Sequence, residues 1–281
     1  MLKYPHARRT AAICALAVFS CSKPEPDNNT SLVLPSSRSA APTVMAAPPA
    51  PEGYATVALQ SPRIVVLGDS IMHYSDELVS RRVQEVISSD AGAVSVKGVT
   101  KGGQLINGWI GSQFDRYVTD PDNNIIVLQG GVNDIGWYGK TGHTATRDEA
   151  FDKLIKRFGD MVQKAIDNRK VIVLVTVTPW KGQPHWNAVG QENSEKLNSW
   201  MKEQARRPGV YLADTYSALV TKDPGCESEK DTLARGYRGV DVQHTNDAGR
   251  KVIGEVIAQS LGFPVPSFTA PEKTKANDPC K

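Results

Sequence analysis

Apolar and polar positions follow two rhythms along this chain, and the two alternate. Ile64, Val65, Val66 and Leu67 form a continuous run of β-favouring residues that stops at Gly68, Asp69 and Ser70. That pattern predicts a buried strand with a hydroxyl placed just past its carboxyl end. Leu78, Val79, Val83, Val86 and Ile87 then recur at helical spacing, with Ser75 as the expected N-cap. Residues 94–99 alternate and predict a second strand, and residues 124–129 predict a third, apolar throughout as a strand covered on both faces should be. Phe151, Leu154, Ile155, Phe158, Met161, Val162, Ala165 and Ile166 make the stripe of a long amphipathic helix. A fourth strand over 171–177, a helix over 192–205 and a fifth strand over 210–213 follow. A last helix begins near Asn246 and turns Val252, Ile253, Val256 and Ile257 inward.

Strand and helix patterns that alternate in this way, with connections long enough for crossovers, predict an α/β fold. The expected architecture is a three-layer α/β/α sandwich around a five-stranded parallel sheet. One domain, 62–265, holds every element, and residues 266–281 read as a C-terminal tail.

The first residues alter the picture. Lys3, Arg8 and Arg9 precede an apolar run from Ala11 to Phe19, then Ser20 and Cys21. A positive head, a short apolar core and a small residue at the cut predict a signal segment over 1–21, and the run is too short for a spanning helix. Val18 to Cys21 resembles a bacterial lipobox, in which the cysteine is lipidated after cleavage. Ordinary cleavage and a free secreted product is the alternative. Residues 22–61, rich in Pro, Ser and Ala, read as a disordered tether. The expected address is the cell envelope, with membrane attachment through Cys21, or the medium. The three basic residues of the signal segment account for the whole formal charge of +3. No basic stripe remains to suggest nucleic acid as a partner. Export favours pairing of Cys226 with Cys280, which would tie the tail to the domain. No pair of cysteines has metal-site spacing, and no metal or cofactor is expected.

Four segments fall at the ends of predicted strands. The first is Gly68, Asp69 and Ser70, weak alone because a serine there is more often a cap. The second runs from Gly98 through Gly102 to Gly103, where backbone N–H groups could face the sheet edge and hold an oxyanion. The third runs from Gln129 through Gly131 to Asn133 and Asp134, where Asn133 offers a side-chain donor. The fourth is Asp241 with His244, three residues apart, so that a local turn can put the carboxylate on Nδ1 and leave Nε2 for a serine hydroxyl. Each has a bland reading as a turn or helix cap.

In this order the four segments resemble those of the SGNH hydrolase (GDSL esterase/lipase) superfamily, over Arg63 to about Leu261. The resemblance implies a flavodoxin-like fold, with Ser70 as nucleophile, His244 as general base and Asp241 as its orienter. It also implies an oxyanion hole from the Ser70 and Gly102 amides and the Asn133 side chain. Gly103 and Gln104 depart from the family's usual polar pair, and Thr245 stands where a proline often follows the histidine. No Gly-x-Ser-x-Gly surrounds Ser70, so the sharp nucleophile elbow of α/β-hydrolases is absent. His73 is a rival base, with no acid at close spacing.

The implied reaction is acyl transfer to water on a small-molecule or glycan ester, through an acyl-enzyme. Trp109, Trp137, Tyr138, Trp180 and Trp186 follow predicted strands and could stack on sugars or line an acyl pocket, and several could equally pack loops on the sheet. Trp137, Trp180 and His185 are the expected substrate contacts. Short acyl esters, including O-acetyl groups on carbohydrates, suit the envelope address. The same machinery would serve an O-acyltransferase, whereas a carbohydrate-binding protein of this fold would not require Ser70, Asp241 and His244 together. Oligomeric state has no signature in the chain.

Overall fold

The computed structural model describes residues 53–91, 93–137, 147–221 and 230–272. Cys21 and the signal segment, most of the 22–61 stretch, and both Cys226 and Cys280 lie outside the described residues.

The elements in order are α1 (Tyr54–Gln60), β1 (Arg63–Gly68), α2 (Ser70–Ala91), β2 (Ser95–Thr100), a π-helical turn (Ile106–Ile110) leading into α3 (Gly111–Tyr117), β3 (Ile125–Leu128), α4 (Val132–Trp137), α5 (Arg147–Asp167), β4 (Val171–Val175), α6 (Ala188–Gln204), β5 (Val210–Ala213), α7 (Thr215–Leu219), a short 3₁₀ turn (Arg235–Tyr237) and α8 (Asp247–Ser260). The five strands are all parallel and lie in the order β2-β1-β3-β4-β5. This is the expected three-layer α/β architecture. Strand order reverses between β1 and β3, and in open α/β sheets a crevice opens beyond the carboxyl ends at that point.

The continuous apolar runs of the inner strands arise from double coverage. Side chains alternate across a strand. Ile64 and Val66 of β1, Ile125 and Val127 of β3 and Val171 and Val173 of β4 therefore share one face, against Val79, Val83 and Ile87 of α2 and Val252, Ile253 and Ile257 of α8. Val65, Leu67, Ile126, Leu128, Ile172 and Leu174 share the other, against Phe114 of α3, Leu154, Phe158 and Met161 of α5 and Leu197 and Met201 of α6. Fully burying one such side chain is worth about 1.5–3 kcal/mol, so each face holds a substantial core. Among the described residues no helix is long and apolar enough to cross a membrane.

Several boundaries differ from the sequence expectation, and three of them bear on the site or on the ends of the domain. Helix α2 starts at Ser70, and Ser75 lies inside it. The cap is Asp69, whose Oδ1 accepts the Ile71 amide at 2.9 Å. Glu77, with a left-handed φ of 59°, interrupts α2 just before the amphipathic stretch that the apolar spacing had marked. The tether reading of 22–61 gives way at its end, because Tyr54–Gln60 is helical and buries Ala58. Fewer than two turns leave too little periodicity to read. This helix sits at the amino-terminal edge of the sheet, where the Tyr54 hydroxyl donates to the Pro208 carbonyl just ahead of β5. The tail reading of 266–281 also gives way in part. Thr269 donates from its amide and hydroxyl to the buried Glu255 carboxylate at 2.8 and 2.6 Å, and the Glu272 amide donates to the Gly236 carbonyl at 2.9 Å. Residues up to Glu272 therefore form a strap folded back on the domain.

Candidate active site

Ser70 is the first residue of α2, one step beyond β1, and is only 6% exposed. The loop between the 3₁₀ turn and α8 brings Asp241 and His244 to it. That loop is closed at its neck by the Arg238–Thr245 bridge and by the Gly239 amide donating to the His244 carbonyl at 2.8 Å. Within it, Asp241 Oδ1 accepts the amides of Gln243 and His244 at 2.8 and 2.7 Å, the local turn that a three-residue spacing allows. Its other oxygen, Oδ2, lies 2.7 Å from His244 Nδ1, and His244 Nε2 lies 2.9 Å from Ser70 Oγ. Burial pushes the Asp241 carboxyl up, but the His244 amide and ring and the Gln243 amide outweigh it and hold it below the usual carboxylate range. An ionised carboxylate only accepts. Nδ1 therefore carries the ring proton, and the Nε2 lone pair faces the serine hydroxyl.

Gly102 follows β2, and a Cβ placed on it would lie 3.8 Å from the Ser70 Cβ and 3.9 Å from the Tyr74 hydroxyl. Its backbone is thus beside the serine. Gly98, by contrast, is inside β2 and pairs with Val66, away from the edge. Its lack of a side chain makes room for the Glu77 carboxylate, which a Cβ there would meet at 2.4 Å.

Asn133 reaches the same edge from α4. The turn ahead of it needs a glycine: Gly131 has a φ of +106°, and a Cβ there would lie 2.8 Å from Leu197. Asn133 Nδ2 donates to Asp69 Oδ2 at 3.2 Å and to the Gln104 carbonyl at 3.0 Å. The next residue, Asp134, accepts the Ile106 and Asn107 amides at 2.9 and 3.2 Å, and so fixes the loop that follows Gly102. Burial raises both carboxyls to about 6. For Asp69 the Ile71 amide, Gln129 and His244 only partly offset it, and for Asp134 the Ile106 and Asn107 amides do the same against the added repulsion of Asp69.

The expected substrate contacts fare differently. Trp180 follows β4 as expected but is 1% exposed, packs in the core and donates from Nε1 to Ser194 Oγ at 3.0 Å. It belongs to the interior. An indole at a strand end reads the same whether it faces the core or solvent. His185 is partly exposed and lies on the Trp180 ring at 5.8 Å and against Gly136. Trp137 ends α4, and its side chain is outside the described residues. His73 is exposed and bonds Thr100 Oγ1 at 3.1 Å, while His244 holds the position next to Ser70.

Tyr74 escaped the sequence reading. It stands one helical turn after Ser70, 44% exposed, with its ring in T-shaped contact with the His244 imidazole at 5.2 Å and 86°. The signal was its i+4 spacing from the serine, hidden by the expected start of α2 at Ser75. Asp69, Gln104 and Asp134 were passed over for a related reason: a buried carboxylate and a turn carbonyl have no sequence signature of their own. Among the described residues no group of three or more His, Cys, Asp or Glu side chains is placed to hold a metal ion.

A model described as the GDSL-like Lipase/Acylhydrolase family matches residues 66–252. Among solved structures the chain is similar to a lipase/acylhydrolase from Enterococcus faecalis, at 19% identity and a TM-score of 0.55 over 76% of this chain and 100% of that one. It is similar to an acetyl xylan esterase, at 20% identity and a TM-score of 0.54 over 70% of this chain and 98% of that one. It is also similar to a catalytic mutant of an acetylxylan esterase from Geobacillus stearothermophilus, at 15% identity and a TM-score of 0.54 over 72% of this chain and 95% of that one. At these identities the structural likeness speaks for the fold. No curated protein matches the chain in sequence.

Proposed function

The chain belongs to the GDSL-like lipase/acylhydrolase family and is a carboxylic ester hydrolase, and from that premise we propose that it cleaves short-chain acyl esters, acetyl groups on carbohydrates among them, through Ser70, His244 and Asp241. The observation that carries this reading is the unbroken path from Asp241 Oδ2 to His244 Nδ1 at 2.7 Å and from Nε2 to Ser70 Oγ at 2.9 Å. The acetyl preference draws on the two acetyl xylan esterases of the same fold.

In this reading Ser70 Oγ attacks the ester carbonyl carbon while its proton passes to His244 Nε2. Asp241 keeps the imidazole in the right tautomer and steadies the imidazolium. The Ser70 and Gly102 amides and Asn133 Nδ2 meet the negative charge that develops on the carbonyl oxygen. For Asn133 this means that one N–H exchanges the Gln104 carbonyl for the oxyanion and keeps the other on Asp69. His244 then returns the proton to the departing alkoxide, and the alcohol leaves an acyl-serine. Water, deprotonated by the same imidazole, attacks that ester, and collapse of the second tetrahedral species frees the acid and restores the Ser70 hydroxyl.

Hydrolysis of p-nitrophenyl acetate by the parent chain, Ser70→Ala and His244→Ala tests the assignment. The expected result is a fall on the order of 10³-fold or more for each variant. Equal rates in the parent and Ser70→Ala would sink it.

A further inference from the structure

We propose that Asp69 is a positioning residue: its carboxylate holds the Asn133 amide at the angle that serves the oxyanion, and ties that amide to the start of the helix that carries Ser70. The inference rests on the Ser70–His244–Asp241 reading and on Asn133 as an oxyanion donor.

Asp69 has no part in the proton path, yet it stands between the end of β1 and the nucleophile with no solvent exposure. Its two oxygens face two different elements. Oδ1 accepts the Ile71 amide at 2.9 Å and so caps α2, whose first residue is Ser70. Oδ2 accepts from Asn133 Nδ2, on α4, at 3.2 Å. A third element fixes the residue from its backbone. The Asp69 amide donates at 3.0 Å to Oε1 of Gln129, which lies just past β3 and is 1% exposed. Gly68 leaves the room this needs, since a Cβ there would lie 2.8 Å from the same Gln129 oxygen and 2.6 Å from Met72 Cγ. The end of β1, the end of β3 and the first turns of α2 and α4 therefore converge on one residue.

The chemistry of the side chain explains why an acid stands here. Capping alone does not call for a charge, because Asn caps a helix as well as Asp does. A carboxylate accepts on both branches at once. An amide in its place would set an N–H₂ where Oδ2 stands, against the N–H₂ of Asn133. Taking a carboxylate out of water is costly, and burial pushes this one up to about 6. What the charge supplies in return is the second acceptor. The other Asn133 hydrogen rests on the Gln104 carbonyl at 3.0 Å. Once the oxyanion takes that hydrogen, the bond to Asp69 is the one that still holds the side chain, so the donor keeps its aim as charge develops.

Asp69→Asn separates the two roles. Its remaining oxygen keeps the Ile71 cap, whereas its amide cannot accept from Asn133. The test measures p-nitrophenyl acetate hydrolysis by the parent chain, Asp69→Asn, Asn133→Ala and the double variant, at about pH 8, where Asp69 is charged. Asp69→Asn is expected to lower kcat about tenfold or more with KM held within about threefold, because the lost aim matters only in the transition state. Added to Asn133→Ala, it is expected to cost less than about threefold more, since a residue that acts through another then has nothing left to position. Losses that multiply in the double variant would place the action of Asp69 elsewhere and overturn the inference. An unchanged kcat in Asp69→Asn, or a parental kcat in Asn133→Ala, would overturn it too. Asp69→Ser, with a cap oxygen too short to reach Asn133, is expected to repeat the result of Asp69→Asn. Loss of folding in both would make Asp69 a structural residue alone and end the proposal. A parent chain inert toward p-nitrophenyl acetate overturns the Ser70 reading and this inference with it.

Discussion

Asn133 commits its amide hydrogens inside the protein, one toward Asp69 and one toward the Gln104 carbonyl. A donor held this way is aimed before the substrate arrives, and only one bond must be exchanged as charge develops. Asn133→Ala is expected to lower kcat by about 10²–10³-fold and to cost about 1–3 kcal/mol of stability, because the buried Asp69 carboxylate loses a partner. Turnover of p-nitrophenyl acetate and urea denaturation would measure the two effects. A loss below tenfold with the full destabilisation would reduce Asn133 to a structural role. Ser70, Asp241 and His244 were legible in the chain because a strand end and a three-residue spacing are local properties. Tyr74 was not, since its relation to Ser70 depends on where α2 begins, and the Asp69 cap that decides this hides inside the motif itself. Trp180 was misread because composition names a ring and says nothing of the side it faces.

At the scale of elements, the site joins two helices. Ser70 opens α2, His244 stands three residues ahead of α8, and α2 and α8 pack along each other. Their close approach depends on Gly254, where a Cβ would lie 2.8 Å from the Arg82 Cβ and 3.0 Å from the Val79 carbonyl. Gly254→Ala is expected to destabilise by about 1–3 kcal/mol, as overpacking does, and to lower kcat several-fold by shifting the serine relative to the imidazole. Thermal denaturation and turnover of the same sample would show it. An unchanged midpoint would mean that the helices separate at no cost. The inner strands and α5 were legible because coverage on two faces, or one stripe over many turns, leaves a long signal. Helix α1 and the strap were not, as their order derives from single contacts to distant residues: Tyr54 to Pro208, and Thr269 to Glu255.

For the molecule as a whole, two carboxyls in the interior tie stability to pH. Asp69 and Asp134 have their pKa raised from 3.8 to about 6, chiefly by burial. A raised carboxyl means that the folded state holds its proton more tightly than the unfolded chain. Their contribution is therefore fullest below about pH 4 and is lost as pH rises through about 6. Asp115, Asp214 and Asp241 are lowered and act in the opposite sense, gaining as pH rises from the acid side. Asp134→Asn isolates one of the raised groups. Between pH 4 and 7 its stability relative to the parent should rise, by on the order of 1–3 kcal/mol, in urea denaturation. A difference that stays flat or falls would contradict this.

The parallel sheet also gives the molecule two poles. The amino end of the described chain enters through α1 at one of them, and the crevice opens at the other, about 20 Å away across the six residues of β1. A substrate approaching the carboxyl ends of the strands therefore reaches Ser70 without meeting α1.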